Sequence, residues 1–428
     1  MAGRWASTGE PARGLPSRPI VVVSLTVALT LLGDSMLYAV LPAQYDAFGL
    51  PVVAVGVLLS VNRYVRLLTN PLAGRLCDRV GLRWPFLGAV LAGALATVVY
   101  GLAPGLAVFA AARLLWGGCW SLLRLGGYLT VLHHSPPTRL ARGLGIYGAV
   151  SRTGSLAGML AGGILADSLG ARPALILFGA VTLLALPLAS SVPLDWGRAP
   201  EAASDRRPEA PAPSRLSFLF GTEPGKARPQ AATVHLAALW VGLAAGVVTS
   251  SLGLLFRVRF GERVDVLGLA LGIATLTGTV LASRWVIDLP LVPLFGVLTD
   301  RVGRRLAGLG FAAVAVGGLA LLATGAGLGP IVAGVVLAFA GCSALVVVLE
   351  SSAGTLASRV DRAAAMSRYA TWADVGSASG PALGYALVGT LGLPAIYGLI
   401  ALGLIVVMAG FFVAAPPALR PASQPSGS

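Results

Sequence analysis

The chain has 428 residues, of which 56% are hydrophobic and 11% are charged. Soluble proteins carry about 25% charged residues, so this composition excludes an ordinary soluble fold, and it is the opposite of a disordered one. The net charge of +14 comes from Arg residues that separate apolar runs, with Lys226 as the only Lys. Basic residues between apolar runs are typical of membrane proteins, which keep Lys and Arg in their cytoplasmic loops. We therefore expect a polytopic α-helical membrane protein with no nucleic-acid partner.

Twelve segments are predicted to span the membrane, because a helix needs about 20 apolar residues to cross a bilayer. The first follows an Arg-containing stretch and is longer than the apolar region of a signal peptide, so we expect it to be retained. The spans cover 20–43, 52–73, 84–103, 106–130, 141–166, 172–193, 233–256, 266–298, 306–326, 328–349, 364–389 and 393–415.

A polar, Pro-rich stretch divides these spans into two groups of six. We expect an N-terminal tail (1–19), a six-helix bundle (20–193), a linker (194–232), a second six-helix bundle (233–415) and a C-terminal tail (416–428). Most basic residues lie in the linker, the tails and the loops on their side. The opposite loops hold four, namely Arg172, Arg257, Arg259 and Arg263. This asymmetry predicts cytoplasmic N- and C-termini, and we expect the protein in the inner (plasma) membrane.

The two halves repeat at an offset of 222 residues. In the stretch between the second and third spans, the repeat matches Pro71, Gly74, Leu76, Asp78, Arg79, Val80, Gly81 and Arg83 with Pro293, Gly296, Leu298, Asp300, Arg301, Val302, Gly303 and Arg305. In the fifth span and after it, the repeat matches Gly154, Gly158, Gly162 and Gly170 with Gly376, Gly380, Gly384 and Gly392. Such a parallel repeat predicts a binding site between the halves near the middle of the membrane. Glycines four residues apart also predict a smooth helix face for close packing.

The stretch Gly74-Arg-Leu-Cys-Asp78-Arg79-Val-Gly81-Leu-Arg83 resembles the loop 2–3 signature of the major facilitator superfamily, G-x-L-a-D-r-x-G-r-r. The second copy, from Gly296, also has both final basic residues. The resemblance implies the superfamily fold, an all-α membrane protein with twelve transmembrane helices in two pseudo-symmetric six-helix bundles. It also implies a secondary transporter that works by alternating access.

In this family the signature closes the cytoplasmic side of the transporter. The resemblance therefore assigns a gate to two sets of residues, Gly74, Asp78, Arg79, Gly81 and Arg83, and Gly296, Asp300, Arg301, Gly303, Arg304 and Arg305. We expect Gly74 and Gly296 to allow close approach to neighbouring helices. The two carboxylates can cap a helix N-terminus or pair with Arg. The alternative is that these loops are only Arg clusters that set the topology.

The sequence from Arg113 to Gly118 partly resembles the fourth-span motif of proton-driven antiporters, which implies the drug:proton antiporter type. Asp34 in the first span lies at a similar depth, within about one helical turn. We predict that Asp34 carries the coupling proton and that Arg113 controls how readily it ionises. A permanent structural ion pair is the alternative.

Four charges inside the predicted spans are related by the repeat. Arg66 corresponds to Asp288, and Arg152 corresponds to Asp374. In the superfamily the second span faces the eleventh and the fifth faces the eighth. The resemblance thus predicts two ion pairs between the halves, Arg66 with Asp374 and Arg152 with Asp288, which close the cavity towards the cytoplasm. The alternative is that each charge lines an aqueous cavity.

Further Arg residues within the spans predict the charge of the substrate. Arg63, Arg124, Arg284 and Arg368 are expected to attract carboxylate or phosphate. The aromatic side chains expected to line the same cavity are Tyr38, Trp116 and Trp372. We predict proton-coupled export of a small amphipathic or anionic organic compound. Uptake of an organic anion by proton symport is one alternative, and a non-transporting scaffold or sensor is another.

The sequence contains no pattern typical of an enzyme or an ATP-driven pump. It has no P-loop and no arrangement of a nucleophile with a base. His133 and His134 are adjacent and point in different directions on a helix, and the three Cys are scattered, so we expect no metal and no cofactor. The expected partners are a small-molecule substrate, protons and the lipid bilayer, and we expect the chain to act as a monomer.

Overall fold

The computed structural model describes residues 17–103, 105–136, 139–192, 194, 228–325, 327–356 and 362–414. Most of the predicted linker, nearly all of the N-terminal tail and the whole C-terminal tail lie outside the described residues. Their predicted boundaries therefore stay predictions.

The first half consists of helices that match the first six predicted spans. They are α1 (Arg18–Val40), α2 (Val52–Val80), α3 (Arg83–Leu102), α4 (Leu106–His134), α5 (Leu140–Leu169), α6 (Ala171–Leu183) and α7 (Ala185–Ser190). The last two are short and together make the sixth span. A 3-10 helix, Tyr45–Phe48, lies in the connection between α1 and α2.

In the described part of the second half, five helices account for the other six predicted spans. They are α8 (Arg228–Phe260), α9 (Ile273–Val302), α10 (Arg304–Thr324), α11 (Leu328–Leu356) and α12 (Arg362–Ala414). The last of these contains two spans, because the chain turns at Gly392, where φ is 72° and ψ is 159°. A left-handed φ of this kind favours Gly. We call residues 362–391 the first arm of α12 and residues 393–414 its second arm.

The predicted start of the eighth span at residue 266 is wrong. A β-hairpin occupies that position, with β1 (Arg263–Val266) paired antiparallel to β2 (Leu269–Gly272). The Asp265 carboxylate accepts a hydrogen bond from the Gly268 N–H within the turn. The eighth span starts only at Ile273, because apolar residues that lengthened the predicted helix belong to the two strands.

Length and composition support the membrane assignment. Within the described residues, nine helices are long and apolar enough to cross a membrane. A tenth is α9, which bends by 47° between Asp288 and Pro290. The more polar α5 provides the fifth span. Because α12 divides at Gly392, it provides two spans, and all twelve predicted spans are then accounted for. The predicted all-α fold of two six-helix bundles is confirmed.

The matching Gly residues bring helices together within each half. A side chain at Gly154 or Gly158 would clash with the backbone of α1, at Ala28 and Leu32 respectively. In the second half, a side chain at Gly376 would clash with the backbone of Leu239 in α8. The predicted close packing is confirmed: the fifth span packs on the first, and the eleventh packs on the seventh.

Substitution of Gly154 by Ala is expected to destabilise the protein, because α1 and α5 would have to separate. Overpacking of this kind costs about 1–3 kcal/mol. The matched control is Gly145→Ala in the same helix, where a methyl group meets open space. Thermal unfolding of the purified variants in detergent measures the difference. Equal melting temperatures for the two variants would contradict the packing role.

Candidate functional site

A cavity of about 960 Å³ lies between the two halves. Its walls come from α1, α2, α4 and α5 of the first half, and from α8, α9, α11 and the first arm of α12. We call the end of the bundle that carries the β-hairpin the hairpin side, and the end that carries the turns at Gly81 and Gly303 the motif side. The lining reaches Leu132 and Leu144, near the motif-side ends of α4 and α5. The cavity therefore opens towards the motif side, which the charge distribution predicts to be cytoplasmic.

The two halves meet on the hairpin side. The Asp167 carboxylate on α5 accepts a hydrogen bond from the N–H of Thr275, in the first turn of α9, at 2.6 Å. It also accepts one from Gln44 at 2.9 Å. Gly272 lies directly against Asp167, where a side chain would clash. Contacts between α5 and the start of α9 thus close the cavity on this side.

An ion pair adds a second contact between the halves on the hairpin side. Arg257, in the last turn of α8, donates to both carboxylate oxygens of Asp46 at 2.7 and 2.8 Å. It also donates to the backbone oxygen of Ala43 at 3.1 Å. The hydrogen bonds from Arg257 hold the pKa of the Asp46 carboxyl below its ordinary value.

Acid on the hairpin side is expected to weaken this closure. A carboxyl whose pKa is lowered by a contact stabilises the contact above its ordinary pKa, and that stabilisation is lost as the pH falls through the lowered value. Asp46→Asn should have the same effect at neutral pH. The change in the open-to-closed ratio should be at most about fivefold, because exposed ion pairs contribute about 0–1 kcal/mol.

Pulsed electron paramagnetic resonance can measure this opening. Spin labels at the exposed residues Ala107 and Leu267 report the distance between the halves on the hairpin side. Asp167 and Glu262 are further carboxylates in this region, so the decisive comparison is at constant pH. Asp46→Arg should lengthen the distance, and Arg257→Asp added to it should restore the original value. If the double variant stays open, the ion pair does not hold this side closed.

Asp34 and Arg113 form an ion pair beside the cavity. The Arg113 Nη1 lies 2.5 Å from the Asp34 Oδ1, and Arg113 is completely buried. The Arg113 Nε donates to the backbone oxygen of Leu58 at 2.9 Å, which anchors the guanidinium on α2. Asp34 lines the cavity, whereas Arg113 lies behind it. The structure brings the two residues together, and the proton-carrying role of Asp34 stays a prediction.

Asn62 is a residue of this site that the sequence analysis missed. Its side-chain amide donates to the Asp34 Oδ1 at 3.1 Å, and its oxygen accepts from the Arg66 Nη2 at 3.0 Å. It therefore links the ion pair to a second cation. The sequence signal for this contact is the position of Asn62 four residues before Arg66, which places both side chains on the same face of α2.

Four of the predicted cavity residues line the cavity: Tyr38, Arg63, Arg124 and Arg284. Arg63 donates to the Tyr38 hydroxyl at 3.2 Å and to the backbone oxygen of Ser377, across the interface, at 3.1 Å. At the cavity wall, Arg63 therefore connects α2 of the first half with the first arm of α12 in the second half.

The other three predicted cavity residues lie elsewhere. Trp116 is fully buried and packs on Gly93, because its face of α4 points into the first bundle. Arg368 and Trp372 are also absent from the lining. The Trp372 ring stacks on His235 instead, with ring centroids 6.3 Å apart.

The two predicted ion pairs between the halves are not formed between these described residues. Asp288 lies near Arg284, with 3.6 Å between Arg284 Nε and Asp288 Oδ2. Arg152 lies over the Trp285 ring at 5.8 Å. Arg66, Arg152 and Asp374 all line the open cavity. Because the motif side is open here, the pairs stay a prediction for a conformation in which that side is closed.

The gate residues lie in the two corresponding loops on the motif side. Gly81 and Gly303 have φ values of 81° and 84°, which explains Gly at this position in both copies. Asp78 and Asp300 are exposed, and no ion pair joins either one to another described residue. No neighbouring helix lies within 4 Å of a Cβ at Gly74 or Gly296, so their predicted close approach is not formed in this open conformation.

A comparison with family models decides the classification. The model of the Major Facilitator Superfamily matches residues 23–289 and 274–428. The chain belongs to the major facilitator superfamily. As the loop signature predicted, it is a multi-pass membrane protein of this transporter superfamily.

Similar curated proteins include two multidrug resistance proteins. The chain is 30% identical over 167 residues to the Multidrug resistance protein B homolog of Mycobacterium tuberculosis, covering 39% of this chain and 31% of that protein. It is 28% identical over 177 residues to the Multidrug resistance protein MdtG of Escherichia coli, covering 39% and 42%. The chain thus matches less than half the length of these relatives.

Similar solved structures share the fold over almost the whole chain. A bacterial homologue of the human lysosomal transporter Spinster, in an inward-facing and unoccupied conformation, has a TM-score of 0.74 at 15% identity, covering 94% of this chain and 98% of that one. A POT family transporter in complex with 5-aminolevulinic acid has a TM-score of 0.72 at 14% identity, covering 96% and 98%. Identities this low show the fold alone.

Proposed function

We propose that this transporter couples the export of a small amphipathic organic anion to proton entry by alternating access. The charge of the cavity carries the proposal. Five Arg residues line it, against two Asp residues. One of these carboxylates, Asp34, is already paired with the buried Arg113. A cavity with this excess of positive charge attracts a carboxylate or phosphate and repels an organic cation.

The apolar part of the lining supports an amphipathic substrate. Trp120, Trp285, Phe339 and Tyr369 lie among the Arg residues on the cavity wall. Ligand sites usually combine such apolar walls with a few polar groups that orient the ligand. An organic molecule with one acidic group and one ring system fits both features.

Asp34 is the proposed proton carrier because of where its two oxygens lie. Both hydrogen bonds that it accepts from described residues end on Oδ1. This leaves Oδ2 as the oxygen that can take a proton from the cavity. Protonation would weaken the contact with Arg113, and loss of the proton into the open cavity would restore it.

The direction of transport is supported by the names of the similar multidrug resistance proteins. Uptake of an organic anion by proton symport is the alternative, since Asp34 and the same cavity would serve it equally well. The positive-inside pattern supports an inner-membrane protein with both termini in the cytoplasm. We further propose that it acts as a monomer.

Ligand-induced thermal stabilisation tests the substrate class. Compounds sorted by charge are added to the purified wild type and to Asp34→Asn at two pH values. Anions should raise the melting temperature of both proteins. Stabilisation of the wild type by lipophilic cations, weakened in Asp34→Asn, would overturn the proposal and place Asp34 in a cation site.

Proteoliposomes separate export from uptake. For an antiporter, a stabilising anion should accumulate inside vesicles whose lumen is the more acidic side. Accumulation from an acidic exterior would instead show symport. Exchange of labelled for unlabelled anion without a proton gradient confirms transport in both cases.

A further inference from the structure

Two guanidinium groups from different halves of the transporter lie close to the Trp285 ring. The Arg284 Cζ is 5.5 Å from the centroid of the Trp285 ring, and the Arg152 Cζ is 5.8 Å from it. Arg284 also lies over Phe339 at 5.4 Å. All four side chains line the cavity. Since Arg152 belongs to α5 and the other three belong to α9 and α11, this cluster joins the two halves.

The cluster carries one positive charge that the described residues do not balance. Asp288 compensates Arg284, although its 3.6 Å contact with Nε is long. Arg152 donates no hydrogen bond to a described residue, and no carboxylate lies within ion-pair distance of it there. A charge within a membrane protein is costly unless it is paired or hydrated. Arg152 is exposed in the open cavity, so this cost arises when closure removes the water around it, and the indole ring then offsets only part of it.

We propose that Arg152 and Arg284 bind the acidic group of the transported anion, with Trp285 positioning both guanidinium groups. The inference rests on the proposed function, because it assumes an anionic substrate. A carboxylate placed between the two cations would accept charge-assisted hydrogen bonds from both halves. The ring system of the substrate would then lie against Phe339 and the apolar wall around it.

The other cavity Arg residues are less suited to this role. Arg63 donates to Tyr38 and Ser377, and Arg66 donates to Asn62 and lies over Trp120. Among the described residues, Arg124 is not one of the cations that lie over the Trp285 ring. It lines the same cavity and is therefore the matched control.

The proposed subsite connects substrate binding with closure of the motif side. In the empty transporter, Asp288 is predicted to pair with Arg152 when that side closes. A bound carboxylate would take the place of Asp288 at Arg152, and Asp288 would stay with Arg284. The loaded transporter would then close with both cations of the cluster balanced, whereas in the empty transporter the pairing of Asp288 with Arg152 would leave Arg284 without a carboxylate.

Calorimetric titration tests the subsite with 2-naphthoate and its neutral isostere 2-naphthamide as probes. Arg152→Gln and Arg284→Gln should each weaken the binding of 2-naphthoate by about tenfold or more, the range for a hydrogen bond to a charged group. Arg124→Gln should change it by less than about threefold, because only long-range attraction is lost. The affinity for 2-naphthamide should stay the same in all variants.

Additional variants test the positioning role and guard against misfolding. Trp285→Phe should keep most of the affinity for 2-naphthoate, and Trp285→Leu should not. Arg152→Lys keeps the charge without the planar fork and should give an intermediate affinity. It replaces Arg152→Gln as the test if that variant does not purify as a folded protein.

Two negative results have different meanings. If the wild type binds 2-naphthoate and Arg124→Gln weakens that binding as much as Arg152→Gln does, the subsite is wrong and the anion transporter stands. If the wild type binds 2-naphthamide as tightly as 2-naphthoate, the anionic substrate class fails and the subsite fails with it.

Discussion

Asp34→Asn is expected to abolish transport driven by a proton gradient while leaving a folded protein that still exchanges substrate. Asn has nearly the shape of a protonated Asp but cannot release a proton. The variant therefore mimics the proposed protonated state, in which Arg113 must already tolerate a neutral partner. The hydrogen bond that Arg113 donates to the backbone oxygen of Leu58 does not depend on Asp34 and should hold the guanidinium in place. Uphill accumulation in proteoliposomes should fall to the level of empty vesicles, whereas exchange at equal pH should persist.

The alternative role of this ion pair predicts a different result. If Asp34 and Arg113 form a permanent structural pair, removal of one partner leaves a buried charge and costs about 3–5 kcal/mol. Asp34→Asn would then lower the melting temperature strongly and lose exchange together with accumulation. Glu262→Gln is the matched control, because this carboxylate is exposed on the hairpin side. Proton-driven accumulation by Asp34→Asn at the wild-type rate would rule out the coupling role.

Hydropathy predicted most of the fold, because the length of an apolar run and the width of a bilayer determine a span directly. It failed at the β-hairpin before α9. In β1, the half-buried Val264 and Val266 alternate with the exposed Arg263 and Asp265. A search for long apolar runs reads such residues as the beginning of a helix. The alternation itself was the missing signal.

Contacts in the candidate site were predictable where the depth of two residues in the membrane is enough to bring them together. Asp34 and Arg113 were expected to meet because their depths agree within about one helical turn, and they form an ion pair. The direction in which a side chain points around its helix was harder to predict, which is why Trp116 lies in the first bundle and not in the cavity. The partners of Arg66 and Arg152 depend on the conformation, which a single sequence does not specify.

Asp374→Arg is expected to hold the motif side open and to stop transport. Arg66 on α2 and Asp374 on the first arm of α12 both line the open cavity, and α2 packs on α12. In the closed conformation a second Arg would face Arg66 in place of the predicted partner. Like charges at contact distance in a partly buried site cost several kcal/mol. Such a cost is as large as the few kcal/mol that separate the two conformations of a typical two-state protein, so it is enough to make the open state dominate.

Charge reversal at both positions distinguishes an ion pair from a general effect of charge in the cavity. Arg66→Asp together with Asp374→Arg keeps the net charge and exchanges the two partners. Because Asn62 donates and accepts hydrogen bonds at this position, an Asp at residue 66 can still bond to its side-chain amide. The double variant should therefore recover part of the transport that each single variant loses.

The conformation itself can be measured with spin labels at Trp84 and Leu306. These exposed residues lie at equivalent positions of the two halves, in the first turns of α3 and α10 on the motif side. The native Cys residues at 77, 119 and 342 are buried. The wild type should show a long and a short distance, Asp374→Arg only the long one, and the double variant both again. If Asp374→Arg keeps the short distance, the motif side closes without this ion pair, and the two charges serve only to line the cavity.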